Sequence, residues 1–211
     1  LATLRRVPWR EMAYDDASTA DRIDPRTLSI ALEDSLPADR ILVVDGGHFL
    51  GFPMTYWSVP EPRAFVFSSA GFQSIGLGLG SAIGAAVARP DRPTVLAVGD
   101  GGFLMGISEL ETLARLGLPI LVVVYNDAAY GAEVHHFGPE GQSLDIVRFP
   151  DTDIAAIARA VGIDAATVRT PADLVVVKKW LDDGHPGPLV LDAKVVPTVV
   201  GRWSEEAFRG H

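Results

Sequence analysis

Two carboxylates in this chain stand where apolar runs stop. Asp100 follows the run 95–98 in VLAVGDGG, and Asp127 follows the run 120–125 in ILVVVYND. Two acids brought to one glycine-rich turn cannot both bind a phosphate. Together they can hold a hard divalent cation, which takes oxygen ligands and bridges to phosphate oxygens. Gly101 and Gly102 carry no Cβ, so backbone N–H groups there can approach such oxygens closely. The chemistry on offer is the anchoring of a cation and a phosphate group.

The elements that must position these acids can be read around them. Both runs are continuously apolar, as strands covered on both faces are, and Gly99-Asp100-Gly101-Gly102 has the composition of a turn. Between the runs, Ser108 with Glu111 reads as a capping box. Leu110, Leu113, Ala114 and Leu116 fall at helical spacing, Gly117 suits a left-handed helix end, and Pro119 prevents continuation. The result is a β-α-β unit, which is almost always right-handed with its two strands parallel. Asp100 and Asp127 then end strands at the same carboxyl edge, where ligands of open α/β sheets bind.

GDGG, a helix, a strand and then ND with AAYG resemble the diphosphate-binding motif of thiamine diphosphate enzymes, a GDG followed after one helix and strand by NN or ND. From about residue 26 to 195 the chain is most similar to the C-terminal, diphosphate-binding domain of the acetolactate synthase and 2-oxoacid decarboxylase superfamily. The resemblance implies thiamine diphosphate with Mg2+ held by Asp100, Asp127 and the main-chain carbonyl of Ala129. The diphosphate would lie along Gly99 to Gly102, the Gly46-Gly47-His48 turn, and Tyr130 and Gly131. Asparagine is usual at position 127, so Asp127 is a departure; it keeps the ligand oxygen and adds a negative charge that favours the metal and repels diphosphate. Ile75 stands where the family wedges the cofactor into its bent shape, and the carbonyl of Gln73 where the pyrimidine amine is bound. Glu133 falls at an active-site glutamate of pyruvate-type decarboxylases and His136 at a residue lining the substrate channel of related synthases. Without the motif, Ile75 reads as core and His48, His135, His136 and Glu133 as loop or solvated helix residues.

The implied reaction is decarboxylation or carboligation of a 2-oxoacid. In the family a glutamate that activates the pyrimidine comes from an N-terminal domain, normally of the partner subunit. This chain therefore implies half a site, inactive alone, whose partners are pyrimidine-binding and middle domains in a homodimer or tetramer; a flavin would belong to one of those domains. Alternatives are the β-type subunit of a two-chain decarboxylase, a phosphoacceptor module in which Lys194 would assist Asp100, and a non-catalytic Mg-phosphate or nucleotide-binding regulatory domain.

Along the rest of the chain, residues 1–24 show no sustained period and read as a linker from a preceding domain. A single domain spans 25–196, and 197–211 is a tail of no assigned role. Asp24-Pro25 opens a helix over 26–36. Residues 41–44 form a strand ending in DGGH, and 65–67 a second short one. Gly76, Gly80 and Gly84 with Gly78, Ala82 and Ala85 predict a closely packed helix, without the spacing of a dinucleotide fingerprint. Residues 138–151 read as a mobile loop of the kind that closes over a site. Asp151 or Thr152 caps a helix ended at Gly162, Val168 centres a short strand, Thr170-Pro171 starts a helix through Leu181, and 188–195 is a last buried strand. This alternation predicts a three-layer α/β/α fold with a mainly parallel central sheet.

With 211 residues and 48% apolar content the chain can bury a full α/β core. Its net charge of −9 without a basic cluster argues against nucleic acid as partner. No apolar run is long enough for a membrane span and no export leader is visible. The absence of cysteine excludes disulfides and fits a cytoplasmic protein. Leu1 is not an initiator residue, which predicts a piece of something longer.

Overall fold

Successive strand residues point to opposite faces, so a strand apolar throughout must be covered twice. The computed structural model, which describes residues 11–72, 74–201 and 203, meets that demand with six strands in one sheet. They are β1 (Ile41–Val44), β2 (Phe65–Val66), β3 (Thr94–Gly99), β4 (Ile120–Asn126), β5 (Asp164–Val168) and β6 (Leu189–Lys194). Their order is β2-β1-β3-β4-β6-β5, and every pair is parallel.

Helices cover both faces, giving the expected three layers. Leu42, Val44, Val95, Ala97, Leu121, Val123, Leu189 and Leu191 face Leu28 and Leu32 of α1 (Pro25–Ser35) and Val177 and Trp180 of α9 (Val175–Asp182). The alternate residues Val43, Leu96, Val98, Val122, Val124 and Val190 face α4 (Gly78–Ala88), α6 (Glu109–Leu116) and α8 (Ile154–Ala160). The short helices α2 (Gly51–Tyr56), α3 (Ser69–Phe72), α5 (Asp100–Met105) and α7 (Gly131–Phe137) all follow strand ends. From β1 the chain crosses to β2 on one side, and from β3 to β4 on the other. The order reverses between β1 and β3, and a crevice opens outside their carboxyl ends.

Several local expectations are corrected. Residues 100–102 are not an open turn, because the chain enters α5 at Asp100 itself. Ser108 makes no cap: it is already helical, since α5 runs into α6 through the backbone bonds Glu109 N–H to Gly106 O and Leu110 N–H to Ile107 O. The cap of α8 is Asp153, whose side chain accepts from Ala156 N–H at 2.8 Å, in place of Asp151 or Thr152. Val168 ends its strand, and a 3-10 turn, Pro171–Leu174, precedes α9. The glycine-rich helix packs on one side only. Gly78, Ala82 and Ala86 are buried, whereas a Cβ at Gly80 or Gly84 would meet nothing. Asp24 caps α1 as the sequence predicts, accepting from Arg26 N–H. Ile23 is buried too, and pairs in parallel with Val195.

Candidate functional site

Three strand ends build the crevice. After β1, Asp45 is buried, and its carboxylate accepts from Gly46 N–H, Ser69 Oγ and Gly76 N–H at 2.8–2.9 Å. It thereby ties the Gly46-Gly47-His48 turn to the segment that carries Ile75. Gly76 takes a φ of +85°, and a Cβ there would lie 2.8 Å from that of Met105, so both conformation and space require glycine. The Ile75 side chain is brought against Gly46: its Cγ2 would be 3.1 Å from a Cβ at that glycine.

After β3 comes Asp100, only 3% exposed. Its Oδ1 accepts from Gly101 N–H at 2.9 Å, while Oδ2 is buried with no hydrogen-bond partner. A Cβ on Gly101 would strike the Tyr130 ring at 2.4 Å, and one on Gly102 the Asp45 carboxylate at 2.7 Å. Both glycines therefore admit neighbouring side chains.

After β4, Asn126 is fully buried; its Nδ2 donates to Asp192 Oδ1 at 2.8 Å and to the Thr152 carbonyl. Asp192 also forms an ion pair with Lys194 at 3.0 Å, and the Lys194 Nζ donates to Asp151 and the Thr152 carbonyl. The lysine that a phosphoacceptor would need is thus engaged by two other acids. This network fixes the end of β4, and the chain then turns sharply, with Ala128 at φ 60°. Residues 147–149 strap the turn down, since Tyr130 N–H donates to Val147 O and Phe149 N–H to Ala128 O. Ala129 sits between these two bonds, opposite Arg148, so its own N–H and C=O turn away from the strap. The loop expected to close over the site instead buttresses the turn from behind, with Phe149 edge-on to Tyr130 at 5.3 Å.

Burial, then the charge of Asp127, pushes the Asp100 carboxyl far above its ordinary value. Burial pushes Asp127 up as well. Burial and mutual repulsion oppose ionisation of the two carboxyls, and a dication held between them would relieve both. Among the described residues no three His, Cys, Asp or Glu side chains converge on a point. A cation between Asp100 and Asp127 would thus complete its shell with a carbonyl such as that of Ala129 and with ligand oxygens.

A cavity of about 530 Å³ unites these pieces. Of the residues singled out in the sequence, Gly46, Gly47, His48, Ile75, Gly99, Asp100, Gly101, Gly102, Asp127, Ala129, Tyr130, Gly131 and Glu133 line it. His136 does not line it, and packs on Phe137. Gln73 lies outside the described residues. His135 is the histidine brought inward, its ring 4.3 Å from that of His48. Burial, with His135 close by, drives the His48 pKa down to about 3, so the ring is neutral and its Nε2 accepts from Gly201 N–H at 2.9 Å.

The sequence pattern did not reveal Asp45 or the tail. Asp45 had a signal, a strand-end acid before two glycines like Asp100. The tail had only its tryptophan. Val199 and Trp203 line the cavity, and Trp203 Nε1 donates to the His48 carbonyl at 3.1 Å. Among the described residues no helix is long and apolar enough to cross a membrane.

Residues 45–193 match the family model described as thiamine pyrophosphate enzyme, C-terminal TPP binding domain. The chain is 30% identical over 186 residues to 2-hydroxyacyl-CoA lyase 2 of Bos taurus, covering 84% of this chain and 29% of that protein. It is also 30% identical over 176 residues to the acetolactate synthase of Bacillus subtilis (strain 168), covering 83% of this chain and 30% of the synthase. Among solved structures it is similar to Rhodococcus jostii RHA1 thiamine diphosphate-dependent 4-hydroxybenzoylformate decarboxylase, with a TM-score of 0.76 over 87% of this chain and 34% of that one. At 22% identity that likeness is one of fold. The chain spans about 30% of the length of these curated relatives.

Proposed function

Because the chain belongs to the thiamine pyrophosphate enzymes, as their C-terminal TPP-binding domain, we propose that it is the diphosphate- and cation-holding half of an active site acting on 2-oxoacids. The observation that carries this reading is Asp100: a buried carboxylate oxygen without a donor, facing a second carboxylate at the switch point of a parallel sheet. The donor set of Asp100, Asp127 and the Ala129 carbonyl consists of hard oxygens, which suits Mg2+. It leaves coordination positions for diphosphate oxygens.

Each remaining residue has a task in this reading. The turn at Gly46, Gly47 and His48 and the segment 99–102 form the walls along the diphosphate, and Gly131 lets the chain fold back over it. Ile75, held by Gly76 and Asp45, supplies the apolar wedge that keeps the cofactor bent. When bound, thiamine diphosphate supplies an electron sink for breaking or making the bond next to a 2-oxoacid carbonyl. Glu133, on the cavity wall, is placed to exchange a proton with substrate. The tail at Val199 and Trp203 excludes water from the apolar side. The pyrimidine end requires a glutamate from another domain, brought by a partner subunit in a dimer or tetramer. The alternative of a β-type subunit uses the same residues, with that domain on a second polypeptide.

Calorimetric titration with thiamine diphosphate, with and without Mg2+, tests the proposal beside an Asp100→Ala control. Magnesium-dependent binding lost in the control supports it. Binding of equal strength in the control, or independent of Mg2+, refutes it.

A further inference from the structure

The cavity walls carry an imbalance of charge. Asp100, Asp127 and Glu133 line the cavity, and among the described residues no lysine or arginine does. His48, the remaining titratable base on the wall, accepts a hydrogen bond at Nε2 and so brings no positive charge. The whole chain adds a net charge of −9. Among the described residues, a diphosphate approaching such a cavity meets acidic side chains and no basic one that carries charge. Without a cation, the described lining offers it only uncharged donors, backbone N–H groups and side chains such as Ser74 and Tyr130.

The two acids at the cavity floor are in the opposite situation. Asp100 is 3% exposed, and its Oδ2, buried and without a partner, lies beside Asp127. Gly131 leaves room for the Asp127 carboxylate, which would be 2.6 Å from a Cβ at that glycine. The backbone that follows the second acid is strapped at Ala128, Ala129 and Tyr130 by residues 147–149. Two carboxylates neutralise one divalent cation completely, so the charge balance of the site closes without any diphosphate. One carboxylate and one carboxamide would leave a positive charge that only the diphosphate could cancel.

We infer that this chain binds a divalent cation at Asp100 and Asp127 in the absence of diphosphate, and that cofactor loading is ordered, the cation first and the diphosphate second. The inference rests on the cation-site reading above and adds the independence and the order, both of which depend on an aspartate at position 127. In the ordered scheme the filled site cancels the charge of a repelling floor and presents a cation to the diphosphate oxygens. Asp127 then strengthens the cation and weakens the diphosphate, since its extra charge acts on the two with opposite sign.

The test uses metal-stripped chain titrated with Mn2+, free Mn2+ being read by electron paramagnetic resonance, for the unaltered protein and for Asp127→Asn. Each titration is run with and without thiamine diphosphate, and circular dichroism melts establish that the variant is folded. The expected result is one Mn2+ per unaltered chain without cofactor, weakened about tenfold or more in Asp127→Asn. At saturating Mn2+ the variant should bind thiamine diphosphate as tightly as the unaltered chain or more tightly. Binding of Mn2+ to the unaltered chain only when thiamine diphosphate is present overturns the inference and leaves the cation-site reading standing. So does cofactor-free binding unaffected by Asp127→Asn. No Mn2+ binding under either condition overturns both.

Discussion

Gly131→Ala should separate the stability of this domain from its ability to hold a cation. Gly131 is the first residue of α7, and a Cβ there would lie 2.6 Å from Asp127 Oδ2, with the next neighbours, His48 Cβ and Nδ1, at 3.4 and 3.5 Å. The histidine contacts are ordinary, so the carboxylate alone must yield. Restoring a 3.4 Å contact requires it to move by 3.4 − 2.6 = 0.8 Å. A carboxylate is the free end of a side chain and can swing that far cheaply, while alanine in place of glycine favours the helix by up to about 1 kcal/mol. The melting temperature of the cation-free protein should therefore hold steady or rise. Metal sites tolerate ligand displacements of only about 0.2 Å. Magnesium-dependent binding of thiamine diphosphate should weaken about tenfold or more, roughly 1.4 kcal/mol. Thermal melts and calorimetry on the same preparation read both. Binding within twofold of the unaltered chain would show that Asp127 is not a ligand, and a sharp drop in melting temperature would show that the contact is structural.

Stability should respond to pH with two opposed signs. The buried His48 stays neutral down to about 3 while an unfolded histidine protonates near 6.5, so the unfolded state binds more protons below 6.5. Stability is then lost as pH falls through that window, at up to about 1.4 kcal/mol per pH unit, and His48→Gln should flatten the slope in urea melts. Asp100 is raised, so the folded state binds more protons above the ordinary carboxylate value of 3.8 and stability falls as pH rises. Asp100→Asn should accordingly raise the melting temperature of the cation-free protein, with a gain that grows with pH. Lys194→Met leaves the fully buried Asp192 without its cation and should cost about 3–5 kcal/mol in denaturant unfolding. Gly51→Ala places a Cβ inside the Trp203 indole, so the ring must leave its seat. Acrylamide quenching of tryptophan fluorescence should increase while the melt changes little.

The fold was legible because apolar continuity is a strong signal. The runs before Asp100 and Asp127 could only be strands covered on both faces, and the helix between them fixed their direction. What was not legible depended on contacts distant in sequence. Asp100 begins a helix whose Gly101 and Gly102 leave room for Tyr130 and Asp45, residues far apart along the chain. Locally the sequence offers only glycines there, the composition of a turn. Ser108 carried a capping pattern that the preceding helix made unnecessary. Near the site, spacing alone does not separate adjacent residues of one helix. His135 and His136 are indistinguishable in type, and only the position of α7 decides that His135 meets His48. Trp203 reaches the site across more than 150 positions through the His48 carbonyl, a pairing with no local signature.

The sheet order also governs how this chain can be made. Among the described residues, β6 is the last strand in sequence, yet it lies between β4 and β5, and β5 pairs with no other strand. On a ribosome, β5 emerges before its neighbour exists, and the edge of β4 stands open until residues 189–194 are released. Closure therefore waits for the end of the domain, and such late, long-range pairing is slow. A truncation just before Leu189 removes the strand between β4 and β5 and leaves both without that neighbour, and such unpaired edges are templates for aggregation. Nascent chains stalled at that length should engage chaperones, and release of the final strand should convert them in one cooperative step.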